Sequence, residues 1–197
     1  DRPMLSIPTE ESITVEWFNA CFAKAGLCGE VNGFDAARVG TGQIGKCVRY
    51  TLRFKDQGEL PKSVIGKFPS DDENSRQTGV VLLNFLKEVK FYQELQHRVA
   101  IKTPRCFFAE IKDQGPEFFL LLQDLAPAEQ GNQLAGCSPQ VAKAALAELV
   151  GLQAPAWCDE TLHDLQWLRD AEAAALVNTM DLYRQTLPGF TDRYGAH

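Results

Sequence analysis

The segment that most constrains this chain is Gly40-Thr41-Gly42-Gln43-Ile44-Gly45, read together with its C-terminal neighbours. Taken alone, G-x-G-x-x-G suits a loop that opens a helix and holds a pyrophosphate on the helix N-terminus. The residues after Gly45 refuse a helix. From Lys46 to Phe54, Val48, Tyr50, Leu52 and Phe54 alternate with Cys47, Arg49, Thr51 and Arg53. Period two makes a strand with one buried face. A glycine loop running into a strand is a hairpin able to cover phosphates, not a dinucleotide-binding turn.

The rest of the chain divides into a strand-rich front and a helical back. Thr14 to Ala25 reads as an amphipathic helix with Val15, Phe18 and Phe22 near one face and Gly26 ending it. Asp56-Gln57-Gly58-Glu59 is a turn, and Ser63 to Phe68 is a second strand pairing with the first. Pro69-Ser70-Asp71-Asp72 then offers caps for one long helix reaching about Leu95. Cys106 to Ile111 and Glu117 to Leu122 read as two further strands around Lys112-Asp113-Gln114-Gly115-Pro116. The unbroken apolar run Phe118 to Leu122 suits a strand buried on both faces. Beyond Pro127, Ser138-Pro139 is a cap followed by proline at the first helical position. Helices are expected over Gln140 to Leu152 and about Ala171 to Leu187, the latter with Leu176, Met180 and Tyr183 at helical spacing.

Charge and cysteine usage narrow the partners. A net charge of -6 and a pI near 5.1 argue against nucleic acid or an anionic membrane. Local dipoles and one lysine still suffice to hold a phosphate. Cys21, Cys28, Cys47, Cys106, Cys137 and Cys158 are scattered without a C-x-x-C pair. They are expected as reduced, mostly buried thiols of a cytoplasmic protein, with neither a disulfide framework nor a zinc site. No apolar run approaches the ~20 residues of a membrane span. The opening Asp1 is expected to reflect trimming or a tag.

Lys67 carries the next signal. It lies within Val64-Ile65-Gly66-Lys67-Phe68, among apolar neighbours in a short strand, where a cation needs an anionic partner. A dinucleotide fold would place an acidic residue about 20 positions after the glycines to bind a ribose hydroxyl, and Lys67 stands there instead. On the long helix, Val81, Phe85, Glu88, Tyr92 and Leu95 share one face. Glu88 is the acidic residue in that stripe and the expected partner of Lys67. A lysine so paired is the arrangement by which kinases hold the α- and β-phosphates of a nucleotide.

With these residues in order, the chain resembles the N-terminal part of the aminoglycoside phosphotransferase and choline kinase-like superfamily, and within it the ecdysteroid-kinase-like branch of bacterial phosphotransferases. The resemblance runs from about Val39 to about Trp167 and more loosely to the end. It rests on Arg38 to Gly45, the Lys67 strand and Lys87-Glu88-Val89-Lys90-Phe91-Tyr92. It continues through Thr103-Pro104-Arg105, Leu120-Leu121-Leu122-Gln123-Asp124-Leu125, Gly131-Asn132-Gln133-Leu134-Ala135-Gly136 and the helix leading to Trp157.

The resemblance implies an α+β fold: a protein-kinase-like N-lobe of antiparallel sheet plus long helix, then the first helices of an all-helical C-lobe. The implied division is residues 1–124 for the nucleotide-binding lobe with its N-terminal helix, 125–137 for the linker and 138–197 for an incomplete C-lobe. The implied nucleotide contacts are Gly40, Thr41, Gly42, Gln43, Ile44 and Gly45 over the phosphates of ATP, and Lys67 on the α- and β-phosphates, positioned by Glu88. Leu122 to Leu125 would form the hinge, with backbone groups at Gln123 and Leu125 receiving adenine. The family usually has Glu at the Gln123 position and His-Ala where Gln153-Ala154 stands.

Catalysis in that superfamily uses an Asp base in a His-x-Asp loop, an Asn shortly after it and a later metal-binding Asp. The histidines here are His97, His163 and His197; His163-Asp164 has the wrong spacing, and Asn178 is too distant. No catalytic or metal-binding residue is therefore expected in this chain, and the ligands of the accompanying Mg2+ are expected outside it. The implied activity is ATP-dependent phosphotransfer to a small-molecule hydroxyl. A non-catalytic, kinase-like nucleotide-binding or interaction module is the alternative. A nicotinamide-dependent oxidoreductase rests on the glycines alone and is opposed by the strand and Lys67. Self-association through the incomplete helical lobe is a further expectation.

Overall fold

A computed structural model describes residues 5–40, 42, 44–132 and 134–195, except the side chains of residues 171–178. The protein is α+β, built on a five-stranded antiparallel sheet with helices against both faces. Helix α1 (Val15–Lys24) is capped by Thr14, whose side chain accepts the Trp17 N–H at 3.2 Å. It buries Trp17, Phe18, Cys21 and Phe22, a face broader than the expected one. Strands β1 (Glu30–Val39), β2 (Gly45–Asp56), β3 (Ser63–Pro69), β4 (Cys106–Ile111) and β5 (Phe118–Gln123) take the order β1-β2-β3-β5-β4. Sequence periodicity missed β1. It is an edge strand in which Val31 alone is fully buried, so its alternation is weak.

Two cores sit on opposite faces of the sheet. Val48, Tyr50, Leu52, Val64, Phe68, Phe119 and Leu121 pack with α1. Phe118, Leu120 and Leu122 point the other way and pack with Phe85 and Val89. Strand β5 therefore supplies both cores, which explains its unbroken apolar run.

The single long helix expected after Asp72 is two helices. Asp72 does cap the first, accepting the Ser75 N–H at 2.8 Å, but α2 (Glu73–Val81) stops before Leu83. Leu83 adopts a left-handed conformation with φ 54°, and α3 (Asn84–Lys90) starts afresh after it. The break puts Val81 in solvent at 56% exposure, off the face predicted for it, while Phe85 stays buried. Packing drives the break: Leu83 and Leu86 bury themselves against Trp167, and Phe85 stacks on Phe118. The chain continues through a π-helical turn, Phe91–Leu95, and a 3-10 turn, Gln96–Arg98.

Helix α4 (Pro139–Ala156) begins as expected, with Ser138 accepting the Val141 N–H. Helix α5 (Gln166–Tyr194) is longer than expected and contains Pro188. Leu176 lies outside the described side chains. Val141, Leu146 and Val150 of α4, and Met180, Leu182, Tyr183 and Phe190 of α5, are exposed. No described helix is long and apolar enough to cross a membrane.

Candidate functional site

The cleft is built by strand parity. On β2 the even-numbered residues face α1, so the odd-numbered Cys47 and Arg49 face the opposite side. On β3, Ile65 and Lys67 share that side, and the register sets Cys47 directly opposite Lys67. The polar half of the alternation is thus the wall of a cavity of about 310 Å3, within the ~300–1,000 Å3 range of small-molecule sites. Gly40 lies at its rim, Glu88 and Lys67 at one end, and Gln123 to Ala126 along its edge.

Lys67 Nζ donates to Glu88 Oε1 at 2.5 Å. The expected partnership is present, and it depends on α3 restarting after Leu83. The lysine side chain keeps 26% of its surface exposed, so it is tethered without being sealed from a ligand. Behind the pair, a smaller cavity of about 110 Å3 is lined by Ile44, Gly45, Asn84, Phe85 and Phe118.

The glycine loop joins β1 to β2 as a hairpin, with Val39 opposite Cys47. Gly45 opens a strand and not a helix. Gly40 needs its lack of a side chain, having φ 75°. At Gly42 the reason is proximity, since a Cβ there would stand 2.7 Å from the Gly45 carbonyl oxygen. Thr41 and Gln43 lie outside the described residues. The base of the hairpin is fastened by Asp71, which accepts from Lys46 at 2.6 Å and Arg38 at 3.1 Å. The Lys46 hydrogen bond holds the Asp71 carboxyl below its usual range. Lys46 also bridges to Glu10 at 2.6 Å, drawing in the N-terminal segment.

At the other end, β5 stops at Gln123, and the next peptide lies along the cleft edge. Among the described residues, the Asp124 C=O and Leu125 N–H have no hydrogen-bond partner within the protein. Gln123 turns its side chain away, its Oε1 accepting from the Arg105 N–H at 3.2 Å. Sequence reasoning missed the strongest polar contact here. Asp124 accepts from Arg49 Nε at 2.7 Å and Nη2 at 3.2 Å, and from Ser63 Oγ at 2.8 Å. Burial alone would raise this carboxyl, but the hydrogen bonds from Arg49, the Ala126 N–H and Ser63 outweigh it and hold it below the ordinary range. The available signal was that Arg49 shares the parity of Cys47, and hence the face of Lys67.

Of the expected contacts, the structure gathers Gly40, Lys67, Glu88, Gln123 and Leu125 around one cavity. Ile44 and Gly45 line the smaller one behind. His163 is exposed on the surface, with Nε2 3.5 Å from Glu160. The cysteines correct the expectation of mostly buried thiols: Cys21 is buried and Cys47 and Cys106 are half-buried, but Cys28, Cys137 and Cys158 are exposed. All six are free. Turns and loops between the elements hold the exposed three, outside the packed strand and helix faces that bury a thiol.

No family model matches the chain, and no curated protein matches it either.

Proposed function

We propose that the chain is the ATP-binding part of a phosphotransferase that acts on a small-molecule hydroxyl, with a protein-kinase-like N-lobe. The observation that carries this reading is Lys67 tethered to Glu88 at 2.5 Å inside a cleft that Gly40, at the start of the glycine hairpin, also lines. A cation fixed at one end of a cavity suits the α- and β-phosphates of a nucleotide. Backbone N–H groups of the glycine loop would cover those phosphates. At the far end, the Asp124 C=O and Leu125 N–H, unpaired among the described residues, offer the acceptor and donor that a purine edge requires.

The cleft carboxylates do not fit a Mg2+ site. Glu88 is paired with Lys67, Asp124 is paired with Arg49, and among the described residues no group of three or more His, Cys, Asp or Glu could hold a metal. These residues bind and orient the phosphates, and among the described residues no unpaired carboxylate lines the cleft to serve as base. That pairing favours, as the second reading, a kinase-like module that binds nucleotide without transferring phosphate.

A calorimetric titration with ATP–Mg, with NAD as control, tests the reading. Binding of ATP and not NAD is expected. Binding of NAD alone, or of neither, overturns it. Phosphate transfer to a hydroxyl acceptor by the pure chain would eliminate the second reading.

A further inference from the structure

Resting on that nucleotide reading, we propose that Asp124 is a positioning residue: clasped by Arg49 and Ser63, its carboxylate sets the chain segment that receives the nucleotide's base. The Asp124 side chain is only 5% exposed, although it comes just after the last strand residue and borders a cavity. Its Oδ2 accepts from Arg49 Nε at 2.7 Å and Ser63 Oγ at 2.8 Å; its Oδ1 accepts from Arg49 Nη2 at 3.2 Å and the Ala126 N–H at 3.0 Å. Arg49 belongs to β2 and Ser63 opens β3, so one carboxylate joins the roof of the cleft to its edge.

The chain has few other means of holding that edge. Beyond Gln123 the sheet ladder is over, and residues 124–128 are ordered by the Ala126 bond to Asp124 and the Ala128 N–H donating to the Leu125 carbonyl at 3.0 Å. The first of these shapes the turn around Asp124, and the Arg49 fork fixes that turn against β2. The peptide between Asp124 and Leu125, whose C=O and N–H have no hydrogen-bond partner among the described residues, lies within this clasp. With both oxygens occupied by donors, the carboxylate is committed to placement and is no proton acceptor. An asparagine keeps the shape but turns an NH2 group toward Arg49 or the Ala126 N–H, setting donor against donor.

The test is a calorimetric titration of wild type and Asp124→Asn with ATP, with inorganic tripolyphosphate as competitor. Asp124→Asn should weaken ATP tenfold or more and leave tripolyphosphate unchanged, because Lys67 is untouched. Arg49→Gln should reproduce this split and carries the same test if Asp124→Asn fails to fold by circular dichroism. A merely structural role would weaken both ligands together, and that result overturns the proposal, as does unchanged ATP affinity in the variants. Tripolyphosphate that fails to displace ATP from the wild type also overturns it, since the cleft then has no phosphate end that binds apart from a base end. A wild type that binds neither ligand removes the nucleotide reading itself.

Discussion

The indole N–H of Trp167 donates to Glu94 Oε2 at 2.7 Å, tying the start of α5 to the turn that continues the Glu88 helix. Lys90 grips the other oxygen of the same carboxylate at 2.7 Å. The Lys90 hydrogen bond, with help from Trp167, holds the Glu94 carboxyl below its ordinary range. Replacing Trp167 by Phe keeps most of the apolar contact with Leu83 and Leu86 and removes the donor. The expected cost is about 1.5 kcal/mol, the low end for a hydrogen bond to a charged group. Denaturant unfolding would measure it, and an unchanged midpoint would remove the assigned role.

Lys67→Ala should weaken ATP binding by about 1.5–3 kcal/mol, the worth of a charge-assisted contact. Glu88→Gln should weaken it less, because the lysine charge remains and only its tether is lost. Calorimetry on the two variants decides the order; equal binding by Lys67→Ala and wild type would refute the role of Lys67.

Gly66→Ala should destabilise the fold without touching the cleft. The new Cβ would stand 2.8 Å from Tyr50 Cε2 and 3.0 Å from Phe119 Cε2, both in rings with almost no exposed surface. Overpacking of this kind costs roughly 1–3 kcal/mol. A lowered melting temperature is expected, and an unchanged one would mean that the two rings can move aside.

Thiol modification separates the cysteines by burial. Cys28, Cys137 and Cys158 should react first with a maleimide, being exposed. Burial pushes the Cys21 thiol up to about 12, so it should stay protected until the protein unfolds. Burial also raises Cys47, against the opposing field of Lys67. Cys47 borders the cleft, so ATP should slow its labelling further. Mass spectrometry of timed digests would report the order, and an ATP-insensitive Cys47 would place the nucleotide elsewhere.

Acid should loosen the cleft edge. Asp124 is held below its ordinary carboxyl range in the folded protein, so the unfolded chain binds more protons through that interval. Its contribution to stability is complete above the unfolded value of about 4 and is lost as the pH falls through the lower folded value. Unfolding curves across that window should flatten in Asp124→Asn relative to wild type. Parallel curves would mean that other carboxylates dominate the acid response.

Local signals carried much of the fold. The period-two run after Gly45 had to be a strand, whatever stood around it, because its side chains alternate over eight positions from Cys47 to Phe54. Phe118 to Leu122 had to be buried on both sides, and Ser138-Pro139 had to start a helix. The partnership of Lys67 with Glu88 was legible for the same reason, as a cation among apolar strand neighbours facing an acidic residue in an apolar stripe.

Tertiary contacts decided the rest. Nothing in the residues from Glu73 to Leu95 announces a left-handed residue, since a leucine pays backbone strain there that only burial against the distant Trp167 offsets. Edge strand β1 has too few buried positions to show a period. Arg49, Ser63 and Asp124 are ordinary polar residues along the chain. They become one site only when the sheet register brings two strands and the end of a third to the same edge. Short-range periodicity reports which face of an element is apolar, whereas the pairing of elements selects which polar residues meet.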